Sequence, residues 1–179
     1  MDATMQVRVR GCVVSDDLGG AAGVMTSAPP RFIADAMLGK LARWLRILGY
    51  DTLYDARADD HALVRWARAE GRILLTRDRE LARRRGLRCR FVIEENVDKQ
   101  LVQVVRDLEL SLDGAFSRCS VCNEPLEPVD KDAIRDQTPP YVYQTQEQFA
   151  RCPGCGRIYW PATHWQGMRE RIERVREAK

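Results

Sequence analysis

Residues 31–54 read RFIADAMLGKLARWLRILGYDTLY, and this stretch contains the change of pattern that decides the fold. Its first five residues form a short apolar run that is typical of a buried strand. From Met37 to Leu48 the apolar residues recur at helical spacing, and Gly49 follows as a helix stop. Apolar residues then resume in Asp51–Tyr54. The stretch therefore predicts a strand, a helix and a second strand.

The same alternation continues downstream to about Leu110. The later predicted strands are Arg72–Leu75 and Cys89–Ile93, and the later predicted helices are His61–Glu70, a short basic helix ending at Arg85, and Val97–Leu110. Strands that alternate with helices in this way indicate an α/β fold, in which a parallel sheet is flanked by helices. Ligands of such sheets bind at the carboxyl ends of the strands.

The length of 179 residues allows one domain, or one domain with a small module. The composition is 45% apolar and 31% charged, which excludes a disordered chain, a collagen and a membrane protein. We predict three parts: a poorly ordered N-terminal extension over residues 1–30, in which Met5–Arg10 alternates like a short strand; an α/β domain over residues 31–113; and a cysteine-containing part with a C-terminal helix over residues 114–179.

No stretch approaches the ~18 consecutive apolar residues that a membrane span needs. Met1–Gln6 also lacks the basic run and apolar core of a secretion signal. We therefore expect a cytoplasmic protein with no membrane partner. Its oligomeric state is left open by the residues.

Four of the six cysteines form two Cys-x-x-Cys pairs, Cys119 with Cys122 and Cys152 with Cys155. In a cytosolic chain such pairs indicate a metal rather than disulfides. Four thiolates on two tight turns can close a tetrahedral shell around zinc, and a closed shell is structural rather than catalytic. A thioredoxin-like redox motif is the alternative, but that motif occurs once, between a strand and a helix. The long segment between the pairs must form its own hairpin or loop.

Asp35 and Asp78 each follow a predicted strand and precede a predicted helix. A helix N-cap is sufficient to explain either one alone. At neighbouring ends of a parallel sheet, however, the two carboxylates would face each other, and Mg²⁺ accepts such oxygen ligands. Asp59 or Asp60 could supply a third carboxylate, although capping explains one of them equally well.

Asp98 is the leading candidate for a fourth carboxylate, although a helix dipole favours an acid in that first turn in any case. Glu94 and Glu95 are weaker candidates for the same role. If Asp35 and Asp78 bind a metal, changing either to Asn should abolish activity and leave the melting temperature unchanged or slightly raised, because crowded carboxylates repel one another.

The segment from Arg65 to Arg90 contains ten arginines and three acids, a local charge of +7. Basic side chains around an acidic metal site suit a phosphodiester substrate. An arginine-rich surface that reflects codon usage is the alternative, and the net charge of +3 is too small to imply nucleic acid by itself. The candidate phosphate-binding residues are Lys40, Arg43, Arg77 and Arg79.

Three separated motifs occur in order along the chain. They are Asp35–Arg46 with Leu48–Asp51, then Ile73–Asp78, then Ser117–Cys122 and Arg151–Trp160 with Pro139–Tyr143 between them. Together they closely resemble the Mut-seven C-terminal RNase domain family, which belongs to the PIN-like nucleases and ends in a zinc ribbon. The resemblance covers about Arg31 to Glu173.

The resemblance implies a PIN-like parallel sheet, a structural zinc ribbon, and hydrolysis of RNA with Mg²⁺ or Mn²⁺. Asp35 and Asp78 match the acidic pattern of the family, Asp60 fits its second acid, and Asp98 fits its fourth. One alternative is a non-catalytic protein that binds RNA or another nucleic acid through the ribbon. A phosphotransfer domain is another, but Asp35 lacks the second acid two residues on that haloacid-dehalogenase-type sites carry.

Overall fold

The structure is a computed structural model that describes residues 28–179. The predicted strand Met5–Arg10 lies outside the described residues. The chain divides into two compact units. The first contains the described residues up to Ala42 together with Thr52–Gln100, and the second contains Arg43–Asp51 together with Leu101–Lys179. The predicted domain boundaries after residues 30 and 113 stay predictions.

The first unit is built on a four-stranded parallel sheet with the strand order β2-β1-β3-β4. Its strands are β1 (Phe32–Ala34), β2 (Thr52–Tyr54), β3 (Ile73–Thr76) and β4 (Cys89–Phe91). Along the chain, four helices follow these strands in turn: α1 (Gly39–Ile47), α2 (Asp60–Glu70), α3 (Arg79–Ala82) and α4 (Val97–Asp107). Most of α1 and of α4 belongs to the second unit. The predicted alternation and the predicted parallel sheet are therefore confirmed.

The two central strands, β1 and β3, are neighbours from which the chain continues in opposite directions. After β1 the chain crosses to β2 at one edge of the sheet, and after β3 it crosses to β4 at the other edge. In open parallel sheets a crevice forms at such a switch point, outside the carboxyl ends of the strands. Asp35 follows β1 and Asp78 lies two residues beyond β3, so both predicted carboxylates are at this point.

An apolar cluster between helices and sheet stabilises the first unit. Its buried members are Ile33, Leu63, Val64, Ala67, Leu74, Leu81, Ala82, Leu87 and Cys89. Alternate residues of the central strands and one face of α2 supply most of these side chains, as the periodicity predicts. Cys89 is thus a core residue, and Trp66 packs against the same cluster.

Two glycines permit close backbone approaches that a Cβ atom would block. Gly39 begins α1 against the ring of Tyr54, and a Cβ there would lie 2.6 Å from the ring. Gly49 ends the turn after α1 with φ +93°, and a Cβ there would lie 2.2 Å from the carbonyl oxygen of Gly114. Gly49 therefore has two roles. It ends the helix, as predicted, and its lack of a Cβ leaves room for the backbone of Gly114.

The second unit contains a three-stranded antiparallel sheet with the order β5-β6-β7. Its elements are β5 (Glu127–Pro128), a 3₁₀ helix (Asp132–Gln137), α5 (Pro140–Thr145), β6 (Ala150–Arg151), β7 (Ile158–Tyr159) and the C-terminal helix α6 (Thr163–Glu177). The segment between the cysteine pairs therefore contains two short helices in addition to strands. On α6, the side chains of Ile172 and Val175 are buried. No helix among residues 28–179 combines the length and the apolarity that crossing a membrane requires.

Candidate functional site

Asp35 is a buried carboxylate that is held at the switch point by three hydrogen bonds. Asp35 is only 5% exposed. Oδ1 accepts from the Met37 amide at 2.7 Å, which makes Asp35 the N-cap of the 3₁₀ turn before α1. Oδ2 accepts from the Thr76 hydroxyl and from the Arg77 amide, the latter at 3.1 Å. Asp35 is therefore a helix cap and also a bridge from β1 to the end of β3.

Thr76 links the two predicted aspartates. Its fully buried hydroxyl donates to Asp35 Oδ2 and accepts from the Asp78 amide at 2.9 Å. Asp78 itself is exposed and caps α3, with Oδ1 accepting from the amides of Glu80 at 2.6 Å and Leu81 at 3.0 Å. Sequence reasoning missed the role of Thr76. A polar residue at the end of an otherwise apolar strand, two positions before an Asp, is the signal that could have indicated it.

The structure separates the roles of Asp59 and Asp60. Asp59 is the N-cap of α2 and accepts from the Ala62 amide at 2.7 Å. Asp60 lies in the first turn, half-exposed, where its carboxylate pairs with the Arg84 guanidinium at 3.2 Å. Capping therefore explains the acid at position 59. The Asp60 carboxylate does not cap the helix and instead contacts the guanidinium of Arg84.

The candidates for a fourth carboxylate lie around the start of α4. Asp98 is exposed in the first turn, and its amide donates to the Asn96 side chain at 2.8 Å. Glu95 is exposed and pairs with Arg77 at 3.3 Å, while the Glu94 carbonyl accepts from the Gln100 side chain at 3.0 Å. The structure does not separate the roles of these three acids as it separates those of Asp59 and Asp60.

The predicted basic residues belong to both units. Lys40 and Arg79 are exposed in the first unit, and Arg77 is half-buried beside Glu95. Arg43 is exposed and belongs to the second unit. In the segment from Arg65 to Arg90 several guanidinium groups are used internally: Arg72 is buried against Glu70, Arg83 pairs with Glu80, and Arg84 pairs with Asp60.

The four paired cysteines meet at one point in the second unit. Their sulfur atoms all lie within 4.8 Å of one another. Cys119 Sγ is 3.7 Å from Cys155 Sγ, and Cys122 Sγ is 3.2 Å from Cys152 Sγ. Thiolate sulfur is the ligand type of structural zinc, and four of them supply a complete shell. Among residues 28–179, three or more Cys, His or acidic side chains come close enough to share an ion only at these four cysteines. The predicted aspartates do not form such a group.

The two cysteine turns have the same backbone construction. In the first, the Cys119 amide donates to the Glu124 carbonyl at 2.8 Å and the Asn123 amide to the Cys119 carbonyl at 3.1 Å. In the second, the Cys152 amide donates to the Arg157 carbonyl at 2.9 Å and the Gly156 amide to the Cys152 carbonyl at 2.9 Å. The residue after each second cysteine, Asn123 or Gly156, has a positive φ, of 73° and 71°. Asn and Gly are the residues that tolerate this conformation best.

Burial and hydrogen bonding shift the pKa values of the buried cysteines Cys119 and Cys152 in opposite directions. Burial raises the pKa of the Cys119 thiol, but hydrogen bonds from the Cys122 amide and the Tyr159 hydroxyl lower that pKa overall to about 6. Burial raises the pKa of the Cys152 thiol to about 12. The Tyr159 hydroxyl lies 3.0 Å from Cys119 Sγ, and its own pKa is raised, first by burial and then by this contact. Since thiols so close together cannot all ionise without a cation, the geometry fits a divalent soft ion.

A buried arginine supports the first cysteine turn. Arg46 donates from Nη1 to the Val121 carbonyl at 2.6 Å. Burial lowers the pKa of its guanidinium, while the negative groups Cys119, Cys122 and Asp51 act in the opposite direction. A fixed positive charge near the Cys119 and Cys122 sulfurs favours their ionised form. The spacing of the cysteines carried no signal of this residue, because Arg46 is 73 residues from Cys119 in the chain.

The fold and the site together define an α/β protein with a parallel sheet, whose second unit has a four-cysteine cluster that fits a zinc ribbon. The family model described as the Mut7-C RNAse domain matches residues 30–172. The chain therefore belongs to the Mut7-C RNase domain family, whose description indicates a nuclease-type function. Searches of the curated proteins and of the solved structures gave no match.

Proposed function

We propose that this chain is a metal-dependent ribonuclease of the PIN-like type, acting in the cytoplasm on RNA. The proposed site is the switch point between β1 and β3, where Asp35 and Asp78 hold Mg²⁺ or Mn²⁺ with the help of Asp60 and Asp98. The observation that carries the proposal is the Asp35–Thr76–Asp78 connection at this point in a member of an RNase domain family.

The carboxylates at the switch point fit a hard cation. A carboxylate has about four lone-pair positions, and Asp35 uses three of them for Met37, Thr76 and Arg77. Both capping hydrogen bonds of Asp78 go to Oδ1. Mg²⁺ in proteins is commonly bound through one or two carboxylates, with waters and substrate phosphate completing its shell. Asp35 keeps one lone-pair position and Asp78 keeps Oδ2, so each acid has an oxygen lone pair left for such an ion. When bound, the ion would supply Lewis-acid chemistry at the phosphate and lower the pKa of a water.

The chain's own groups position the acids and the substrate. The Thr76 hydroxyl and the Arg77 amide hold the Asp35 carboxylate in one orientation, so no reorganisation is needed when a substrate binds. The exposed cations Lys40 and Arg79 lie in the same unit and can neutralise phosphates of a bound strand. Arg77, paired with Glu95, can do so only if it exchanges that partner.

The cysteine cluster has a structural part in this proposal. Cys119, Cys122, Cys152 and Cys155 would hold one Zn²⁺ and leave no position open for substrate. The three strands of the second unit are each two residues long, so they form too small a core to be stable alone. The ion would therefore maintain the fold of this short sheet and of the two cysteine turns.

A non-catalytic protein that binds RNA through its ribbon is the second candidate. It is favoured by the capping roles of Asp35, Asp59 and Asp78, which fully explain an acid at each position. The two candidates differ in what an isosteric change of Asp78 does. Under the capping explanation Asn serves as well as Asp, whereas under the nuclease explanation the change removes a ligand of the ion.

The experiment combines purified full chain, labelled single-stranded RNA and Mn²⁺, with Asp78→Asn as the test variant. Asp59→Asn is the matched control, because it is another exposed cap on a neighbouring helix. We expect cleavage by the wild type and by Asp59→Asn, and none by Asp78→Asn. Cleavage by Asp78→Asn at the wild-type rate would contradict the proposed site. RNA binding without cleavage by the wild type would favour the second candidate.

A further inference from the structure

A cavity of about 660 Å³ lies within the second unit. Its size is inside the range of roughly 300–1,000 Å³ that is typical of small-molecule sites. The larger apolar side chains of its wall are Phe116, Phe149, Tyr159, Trp160, Trp165 and Met168. None of the predicted aspartates lines it.

We propose that this cavity binds an unpaired base of an RNA strand. The inference rests on the proposed function in one respect, namely that RNA is the ligand of this protein. It adds a second binding site, in the zinc-ribbon unit, that would select single-stranded RNA and hold it independently of any metal at the switch point.

The aromatic side chains supply the surface on which a base stacks. Phe116 and Trp165 lie with ring centroids 5.3 Å apart at 44°, so each ring supports the other while both line the cavity. Trp160 and Tyr159 form another part of the wall, next to the short sheet. Single-stranded nucleic acids are bound on such aromatic side chains, because every base has a face that can stack.

The charges near the cavity favour a polyanion. Arg43 and Arg118 line it, and the Arg169 guanidinium lies 4.9 Å from the ring centroid of Trp165. The one acid among the lining residues, Glu147, pairs with Lys131 at 2.7 Å, so its charge is balanced. A base in the cavity would place its phosphates among these arginines.

The wall of the cavity is tied to the cysteine cluster through Tyr159. The ring of this residue lines the cavity, and its hydroxyl is 3.0 Å from Cys119 Sγ. Ser120, between the first two cysteines, also lines the cavity, and its side chain is hydrogen-bonded to Tyr159. Binding of RNA should consequently depend on zinc, although zinc has no open position for the ligand.

The test measures binding of a fluorescein-labelled single-stranded RNA hexamer to the full chain by anisotropy, without Mg²⁺, Mn²⁺ or chelator. Trp165→Leu removes a stacking face and leaves a smaller apolar side chain, and Arg43→Gln removes a charge from an exposed residue. The matched controls are Trp66→Leu, which is partly buried against the core of the first unit, and Arg174→Gln, which is exposed on α6. Zinc content and circular dichroism verify that each variant is folded.

We expect Trp165→Leu to weaken binding about tenfold or more, as the loss of one stacked base does. Arg43→Gln should weaken it severalfold and reduce its salt dependence. The two controls should bind like the wild type. Because Arg43→Gln changes an exposed side chain, it keeps the proposal testable if Trp165→Leu fails to fold.

Wild-type binding by both Trp165→Leu and Arg43→Gln would overturn the cavity proposal, even if the chain cleaves RNA. Failure of the wild type to bind the hexamer, and to cleave RNA in Mn²⁺, would overturn the proposed function and this inference together. Concentration-dependent dimerisation that Trp165→Leu abolishes, with RNA binding unchanged, would show instead that the cavity accepts a second copy of this chain.

Discussion

Changing Asp35 to Asn replaces an acceptor-only group by one that both accepts and donates. The buried Asp35 carboxylate accepts from the Met37 amide on one oxygen and from the Thr76 hydroxyl and Arg77 amide on the other. An Asn side chain offers one acceptor oxygen and an NH₂ group that only donates. In one orientation the NH₂ faces the Met37 amide, and in the other it faces the Arg77 amide.

Either orientation leaves one backbone N–H of the site without an acceptor. Such a loss costs about 1–3 kcal/mol. We therefore expect Asp35→Asn to lower the free energy of unfolding by about 1–3 kcal/mol, or the melting temperature by about 2–4 °C per kcal/mol. This changes the expectation from sequence, in which the Asn variants of both aspartates have an unchanged or slightly raised melting temperature.

Asp78→Asn should behave differently in the same measurement. Asp78 is exposed, and both of its hydrogen bonds are capping bonds that Asn can accept equally well. Its free energy of unfolding should stay within about 0.5 kcal/mol of the wild type. The same holds for the exposed cap Asp59 and its Asn variant, which serves as the control.

The assay is urea unfolding followed by circular dichroism in zinc-containing buffer, with RNA cleavage in Mn²⁺ measured on the same preparations. Under the proposed function Asp35→Asn and Asp78→Asn both lose cleavage, but only Asp35→Asn loses stability. An Asp35→Asn variant as stable as Asp78→Asn would refute the hydrogen-bond argument. It would leave the catalytic proposal to be decided by the cleavage data alone.

Three further predictions concern the metal, the bridging hydroxyl and pH. We expect metal analysis to find one zinc per chain in the wild type and in Cys89→Ser but none in Cys152→Ser, because the apparent binding energy of such an ion, about 10–16 kcal/mol, needs the complete set of ligands. Thr76→Val, which keeps the shape but removes the hydroxyl bonded to Asp35, should lower the free energy of unfolding by about 1–3 kcal/mol in urea and slow RNA cleavage. Burial raises the pKa of Tyr50 from its usual 10.0, so the folded state favours the protonated phenol. The free energy of unfolding should therefore fall as the pH rises above 10.0, and Tyr50→Phe should lose this part of the pH dependence in urea unfolding.

Much of the fold follows from local patterns, because buried strands and amphipathic helices have characteristic periods. The helix predicted over Met37–Leu48 is present as a 3₁₀ turn followed by α1, and the four strands predicted for the parallel sheet are present within one or two residues. The last helix of the sheet region was predicted to continue to Leu110, but α4 ends at Asp107. Glu109 has a positive φ of 50°, which breaks the helix and which its residue type does not indicate.

The sequence by itself determined the α/β class, the parallel sheet, the four cysteines that come together in one cluster, and the family. Each of these depends on residue type and spacing along the chain. Only the tertiary structure decided that Asp59 is the cap and Asp60 the partner of an arginine, because adjacent residues of one helix turn are equivalent in a periodic pattern. Only the tertiary structure showed that Thr76 donates a hydrogen bond to Asp35. Only the tertiary structure showed that Phe116 and Trp165 are in contact and line one cavity, whose wall also includes Tyr159 beside the cysteines. Those contacts link residues 41 and 49 positions apart, and no local pattern records which distant side chains meet.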